Sequence, residues 1–166
     1  DNSGRTPLIW AAWNSQKDTV ELLLRVGKAD VEARDNHQST PLLLVAYYGH
    51  DDIAGLLLKT GMVNINAKDN DGDTPLLLAA HEGHRNIVQK LLAEQHIAVD
   101  VKNNKGRSPL TQAAENGHKD IVKLLLDSGK TDINAKNNDG QTPLELAEQA
   151  GHKDIARLLQ AHRSLI

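Results

Sequence analysis

Cysteine is absent from this chain of 166 residues. That absence excludes disulfides, thiolate catalysis and cysteine-based zinc sites together. Phenylalanine is absent too, and aromatic residues make up only 2% of the sequence. Folded cores normally draw much of their buried area from rings. This chain must instead bury many small aliphatic contacts, which suits stacked short helices. A strong excess of one charge is also lacking: the formal net charge is -3, which counts against nucleic acid as a partner. There is no apolar run long enough to cross a bilayer, no Asn-x-Ser/Thr sequon and no signal-like start. No membrane partner is expected, and the expected setting is cytoplasmic or nuclear. What is present, 39% hydrophobic and 25% charged residues, is the composition of a folded protein rather than a disordered one.

The sequence repeats itself. Thr-Pro-Leu begins at Thr6, Thr40, Thr74 and Thr142, with Ser-Pro-Leu at Ser108, so each step is 34 residues. Gly-His recurs in the same register at Gly49-His50, Gly83-His84, Gly117-His118 and Gly151-His152. Units therefore run over 1–34, 35–68, 69–102, 103–136 and 137–166, with no linker between them. Within a unit, the threonine suits a helix N-cap and the proline the first helical position. The first helix is short, and its alanines (Ala12, Ala46, Ala80, Ala114) permit close helix approach. Gly-His opens a second helix whose apolar face recurs as Ile53, Ala54, Leu57 and Leu58. Gly27, Gly61 and Gly129 follow it, where a left-handed terminating residue belongs. A β-like run such as Val63–Ala67 and a turn signal Asn70-Asp71-Gly72 complete the unit. Neither helix can bury its apolar face alone, so the units must stack.

These motifs resemble the ankyrin repeat family over the whole chain. The match stands here as Thr142-Pro143-Leu144, Ala113-Ala114, Gly117-His118, Ile121-Val122…Leu125-Leu126 and Asp132-Ile133-Asn134-Ala135. The resemblance implies an all-α solenoid of stacked helix-turn-helix units with short β-hairpins. It also implies a protein or peptide partner held on a concave face. The unit is one residue longer than the usual ankyrin repeat, near Lys28-Ala29 and Lys130-Thr131. Several positions depart from the pattern: Ser15-Gln16 and Thr19 in the first unit, Gln38 in the second, Lys90 and Gln95 in the third. The polar finish Gln160-Ala161-His162-Arg163 is that of a C-terminal cap. The start at Asp1, in full repeat phase, leads us to expect a fragment cut from a longer array.

No catalytic constellation is present: no Gly-x-Gly-x-x-Gly, Walker loop, His-Glu-x-x-His or Gly-x-Ser-x-Gly. No cofactor is expected. His50, His84, His118 and His152 occupy one repeat position, and helix layers lie on the order of 8–10 Å apart. Zinc ligands converge to about 2 Å from one ion, so these histidines suit local hydrogen bonding instead of a metal.

Where the repeats disagree, function has room. The family's concave surface is built from first helices and loop tips, and carried over it predicts a stripe of Ile9 and Trp13, Leu43, Tyr47 and Tyr48, then Leu77, His81 and Glu82. Ile9–Trp13 and Leu43–Tyr47 are i, i+4 pairs sharing a helix face, and Trp and Tyr are enriched in binding hot spots. The loop tips add Asp69, Asp71 and Asp73 beside Lys102, Lys105 and Arg107; Asp73 and Arg107 are expected to set a partner's register. Trp10 is expected to pack between repeats, because its siblings Leu44, Leu78 and Leu146 are apolar. A rival account of the aromatics is packing against a missing upstream repeat. The expected molecule is a monomeric, non-catalytic interaction module. A structural or sensor segment of a larger protein is the alternative. A third is an engineered binder, against which stands framework drift such as Thr19 opposite Ile53, Ile87 and Ile121.

Overall fold

A computed structural model describes residues 2–164 of the chain. Ten helices are present among the described residues, two per 34-residue unit: α1 Pro7–Trp13, α2 Lys17–Arg25, α3 Pro41–Tyr48, α4 Asp51–Lys59, α5 Pro75–Glu82, α6 Arg85–Leu92, α7 Pro109–Glu115, α8 Lys119–Asp127, α9 Pro143–Gln149 and α10 Lys153–Arg163. Each odd-numbered helix starts as its sequence dictates. The Thr6, Thr40, Thr74, Ser108 or Thr142 hydroxyl accepts a backbone N–H three residues on, each at 3.3 Å. Proline follows at the first helical position, where no N–H is needed. In α9 the bond is reciprocated. Glu145 accepts from the Thr142 backbone N–H at 2.7 Å, and Thr142's N–H and hydroxyl hold its carboxyl below the usual carboxylate range.

The odd helices pack on one another along the stack (α1, α3, α5, α7, α9) and form one layer; the even helices form the second. Between the layers lies a continuous aliphatic core. Leu8, Leu42, Leu76 and Leu110 are fully buried in it, as are Ala12, Ala46, Ala80 and Ala114. Small side chains at the alanine column let the odd helices approach, so a chain nearly without rings still closes its interior. Even helices run nine residues in α2, α4 and α8 but eight in α6. The difference falls where Gly61 sits at φ 65° in the second unit while the third has Gln95, which stays at negative φ. A side chain resists the left-handed turn, and α6 ends one residue earlier.

The expected β-hairpins are corrected by the structure: no strand occurs among the described residues. The Val63–Ala67 run is a turn, closed by Ala67 N–H donating to the Asn64 carbonyl at 3.0 Å and Asn66 N–H to Asn64 Oδ1 at 3.1 Å. The loop tips are turns as well. In each, an Asp or Asn side chain accepts two backbone N–H groups, as Asp69 Oδ1 does from Asp71 at 3.0 Å and Asp73 at 2.9 Å. A strand ladder needs those same N–H groups. Successive tips are joined instead by isolated bonds, such as Asn104 N–H to the Asp71 carbonyl at 3.0 Å, with Asn104 Nδ2 on the Asn70 carbonyl at 3.0 Å.

Candidate functional site: the aromatic cluster and its pocket

The site begins with four histidines that hold each helix pair to the one before it. His50, His84, His118 and His152 direct Nε2 at the carbonyls of Trp13, Tyr47, His81 and Glu115, at 3.1, 2.9, 2.9 and 3.0 Å. A carbonyl only accepts, so each ring carries its proton on Nε2. The residues so anchored stand at the C-terminal ends of α1, α3, α5 and α7, where carbonyls lack intrahelical partners. Their backbones are fixed, and Trp13, Tyr47 and His81 project from a rigid wall.

Two groups of side chains occupy that wall. The first is aromatic. Trp13 and Tyr48 meet edge-on with centroids 6.5 Å apart, Tyr47 and Tyr48 meet edge-on at 4.9 Å, and Tyr48 stacks on the His50 ring at 6.0 Å. The Arg5 guanidinium lies 3.9 Å from the Trp13 ring centre, within cation–π range. Tyr47 and Tyr48 remain 43% and 46% exposed, so the cluster is pre-arranged yet reachable.

The second group lines a pocket of about 240 Å³ between α3, α5, α7 and the loops ahead of α5 and α7. Tyr47 and His81 form its helical side, Leu77 and Leu78 its floor, and Asp71, Asp73, Lys105 and Arg107 its loop side. Asp73 accepts from Asn103 Nδ2 at 2.7 Å. Burial pushes its carboxyl above its ordinary value of 3.8; the Asn103 bond and the neighbouring His81 ring work against that, while Asp69 and Asp71 add to it. Arg107 is held in a fork by Glu115, at 3.0 Å to Oε2 and 3.2 Å to Oε1, with a longer bond to Gln112 Oε1 at 3.4 Å. His81 Nδ1 lies 3.1 Å from Asn116 Nδ2, which is a donor, so His81 keeps its proton on Nε2, 3.5 Å from Glu82 Oε1.

The raised Asp73 pKa carries a sign. The folded state binds this proton more tightly than the unfolded chain, so the group's contribution to stability is fully present below 3.8 and is lost as pH rises through the folded value. Asp73→Asn is therefore expected to unfold at higher urea than the parent at pH 7. The gap should narrow as pH is lowered towards 3.8, and a gap independent of pH would contradict the assignment.

Five of the residues expected from the sequence, Tyr47, Asp73, Leu77, His81 and Arg107, line this one pocket. Trp13 and Tyr48 adjoin it through the aromatic cluster, and Glu82 stands exposed beside His81. Ile9, Leu43 and Leu77 depart from the expectation. They are 0%, 1% and 0% exposed, because this helix position faces the following repeat. Leu77 lies under the pocket floor with no accessible surface of its own, and a partner does not touch any of the three directly. Trp10 departs in the other direction: it is exposed, apart from the aromatic cluster. Two tip charges are also structural. Lys102 Nζ donates to the Lys136 carbonyl at 2.7 Å, continuing the bond of Lys68 Nζ to the Lys102 carbonyl at 3.0 Å. Asp69 closes its own turn. Asn103 and Gln112 belong to the pocket and were not singled out by the sequence. Gln112 had a signal: it is polar where the other units carry Trp10, Leu44, Leu78 and Leu146.

A two-layer stack of helix pairs, each pair tied to the one before it, defines the class: a helical repeat solenoid. The model described as ankyrin repeats (3 copies) matches residues 27–103 and 90–164, and the single ankyrin repeat model matches residues 3–36. The chain belongs to the ankyrin repeat family. No curated protein matches it. Ankyrin repeats are generally protein–protein interaction modules and not catalysts. No helix among the described residues is long and apolar enough to cross a membrane.

Proposed function

We propose that this array binds a protein or peptide segment on its concave wall, with the aromatic cluster and the adjoining pocket as the contact surface. The observation that carries this reading is the continuity of the two. Tyr47 belongs to both, so a chain lying across the wall can bury a side chain against Tyr47, Tyr48 and Trp13 and place the next in the polar pocket. Such a surface has the anatomy of an interface, aromatic at the centre and polar at the rim. Contacts come from Trp13, Tyr47, Tyr48, His81, Glu82, Asp73 and Arg107. Ile9, Leu43 and Leu77 support the wall from behind. Free opposite charges remain at the loop side in Asp71 and Lys105, which favours a partner carrying both signs and fixes its direction.

The array acts as a preformed template rather than a catalyst. The wall's anchoring histidines and closed turns leave little to order on binding, so affinity is not offset by loop ordering. Panning a displayed peptide library on the full chain tests the proposal. Enriched peptides should lose about 30-fold in affinity on Tyr47→Ala, the hot-spot range of about 2 kcal/mol. Urea unfolding of the variant should move little, since the ring is exposed. Peptides that bind Tyr47→Ala and Trp13→Ala as well as the parent would place the binding surface elsewhere.

A further inference from the structure

The first repeat presents an apolar face outward at positions that the later repeats cover wholly or in part, Leu44 being half-buried where Trp10 is exposed. Pro7 is exposed, whereas Pro41, Pro75, Pro109 and Pro143 are all buried. Trp10 is 45% exposed, whereas Leu78 and Leu146 are 8% and 4% exposed and even the polar Gln112 is buried. Leu22 is 49% exposed, whereas Leu56, Leu124 and Leu158 pack against the core. The remaining residue of that last series shows where the position points: Lys90 reaches back into the preceding repeat, its Nζ bonding Asp51 and its Cε lying beside Gly55. Gln112 and Leu78 likewise meet the preceding unit's His81 and Tyr47 around the pocket. Pro7, Trp10 and Leu22 are thus the acceptor half of an inter-repeat interface already present four times in this molecule.

The opposite end differs. Glu145 stands where Ile9, Leu43, Leu77 and Thr111 are buried, Glu148 where Ala12, Ala46, Ala80 and Ala114 are buried, and Gln160 where the other units carry leucine; all three are exposed. The C-terminal face carries the polar outer surface that a terminal repeat requires, and the N-terminal face does not. A second copy stacking head to tail would seat Glu145 and Glu148 against Trp10 and Leu22, and burying unpaired carboxylates there is strongly unfavourable. We propose that the N-terminal face of α1 and α2 receives one further ankyrin-type helix pair, with aliphatic and alanine residues at the positions that Leu77 and Ala80 occupy in the third unit. The occupant is an upstream repeat in register with this array. Trp10 would then be covered as Leu146 is, leaving Trp13, Tyr47 and Tyr48 as the reachable aromatics.

The test adds such a unit. A copy of residues 103–136, whose own follower presents Leu146 and Leu158 at these two positions, is joined ahead of Asp1 in the 34-residue register. A second version uses residues 69–102, in case one junction folds poorly. Trp13→Phe in both and in the parent leaves Trp10 as the only tryptophan. The expected result is a urea midpoint above that of the parent, one cooperative transition, and Trp10 emission shifted to the blue with reduced acrylamide quenching. Trp10→Gln with Leu22→Gln should leave the parent's midpoint nearly unchanged and abolish the gain in the extended chain. Neither version raising the midpoint, or Trp10 staying quenchable in both, would overturn the proposal. So would concentration-dependent dimerisation of the parent that Leu22→Gln abolishes, because the face would then belong to a second copy.

Discussion

Leu77→Ala is expected to destabilise the array by about 2–5 kcal/mol, the range for truncating a buried leucine. Leu77 is fully buried on α5, on the side that faces α7, yet its place in the helix also marks it for the binding stripe. The two roles predict different measurements. A residue that touches the partner would change affinity and leave urea unfolding almost unmoved, as expected for Tyr47→Ala. A residue that holds α5 against α7 leaves a cavity that neighbouring helices fill only in part. Because repeat arrays are stabilised mainly by nearest-neighbour interfaces, the loss should also split unfolding, with the units on either side of the damaged interface melting at different urea concentrations. An unfolding curve within about 0.5 kcal/mol of the parent, the scale of ordinary surface changes, would return Leu77 to the surface.

Gly83→Ala is the second large effect, and Gly151→Ala is its internal control. Both glycines are left-handed, at φ 87° and 79°, so an added side chain costs roughly 1–2 kcal/mol at either site. Only at Gly83 is the space occupied. A Cβ there would lie 2.6 Å from His118 Cε1 and 2.9 Å from Nδ1, whereas at Gly151 nothing lies within 4 Å. Moving the His118 ring breaks its bond to the part-buried His81 carbonyl, adding about 1–3 kcal/mol for an acceptor left unsatisfied. The expected losses in urea unfolding are therefore about 1–2 kcal/mol for Gly151→Ala and about 2–5 kcal/mol for Gly83→Ala. Equal losses would mean that the histidine does not hold the interface. The first unit shows that the position tolerates a side chain: Ser15 occupies it at φ 58°, with the His50 bond beside it still formed at 3.1 Å.

That Gly-His pair shows why part of this molecule is legible without coordinates. A motif recurring every 34 residues reports a constraint that recurs too, and a proline after threonine dictates a helix start wherever it stands. Helix pairs, their order and the second-helix apolar face follow from such local rules. The turn signal Asn70-Asp71-Gly72 is a turn in the structure, but the β-like run Val63–Ala67 beside it is not a strand, although its period and residue types are strand-like. Hydrogen bonding decided this: side chains such as Asp69 and Asn103 take the N–H groups a ladder would need. The odd helices were harder still, since α3 is apolar on all sides, reading Pro-Leu-Leu-Leu-Val-Ala-Tyr-Tyr. A uniformly apolar helix has no periodicity from which to tell Leu43, turned to the next repeat, from Tyr47, turned to solvent.

The sequence by itself determined the family, the repeat length, the capped helix starts and the clustering of all four aromatics in the first two units. Each of these is set by residues close in the chain or by one pattern held in register. Only the tertiary structure decided which of those aromatics share a surface. It separated Trp10, on the N-terminal face, from Trp13, Tyr47 and Tyr48, which form one aromatic cluster. It also joined Tyr47 to Asp73 and Arg107 around one pocket, and withdrew Ile9, Leu43 and Leu77 into the interior. The physical reason is that exposure in a stacked array belongs to no residue alone. It depends on what the neighbouring repeat presents across an interface some 34 residues away.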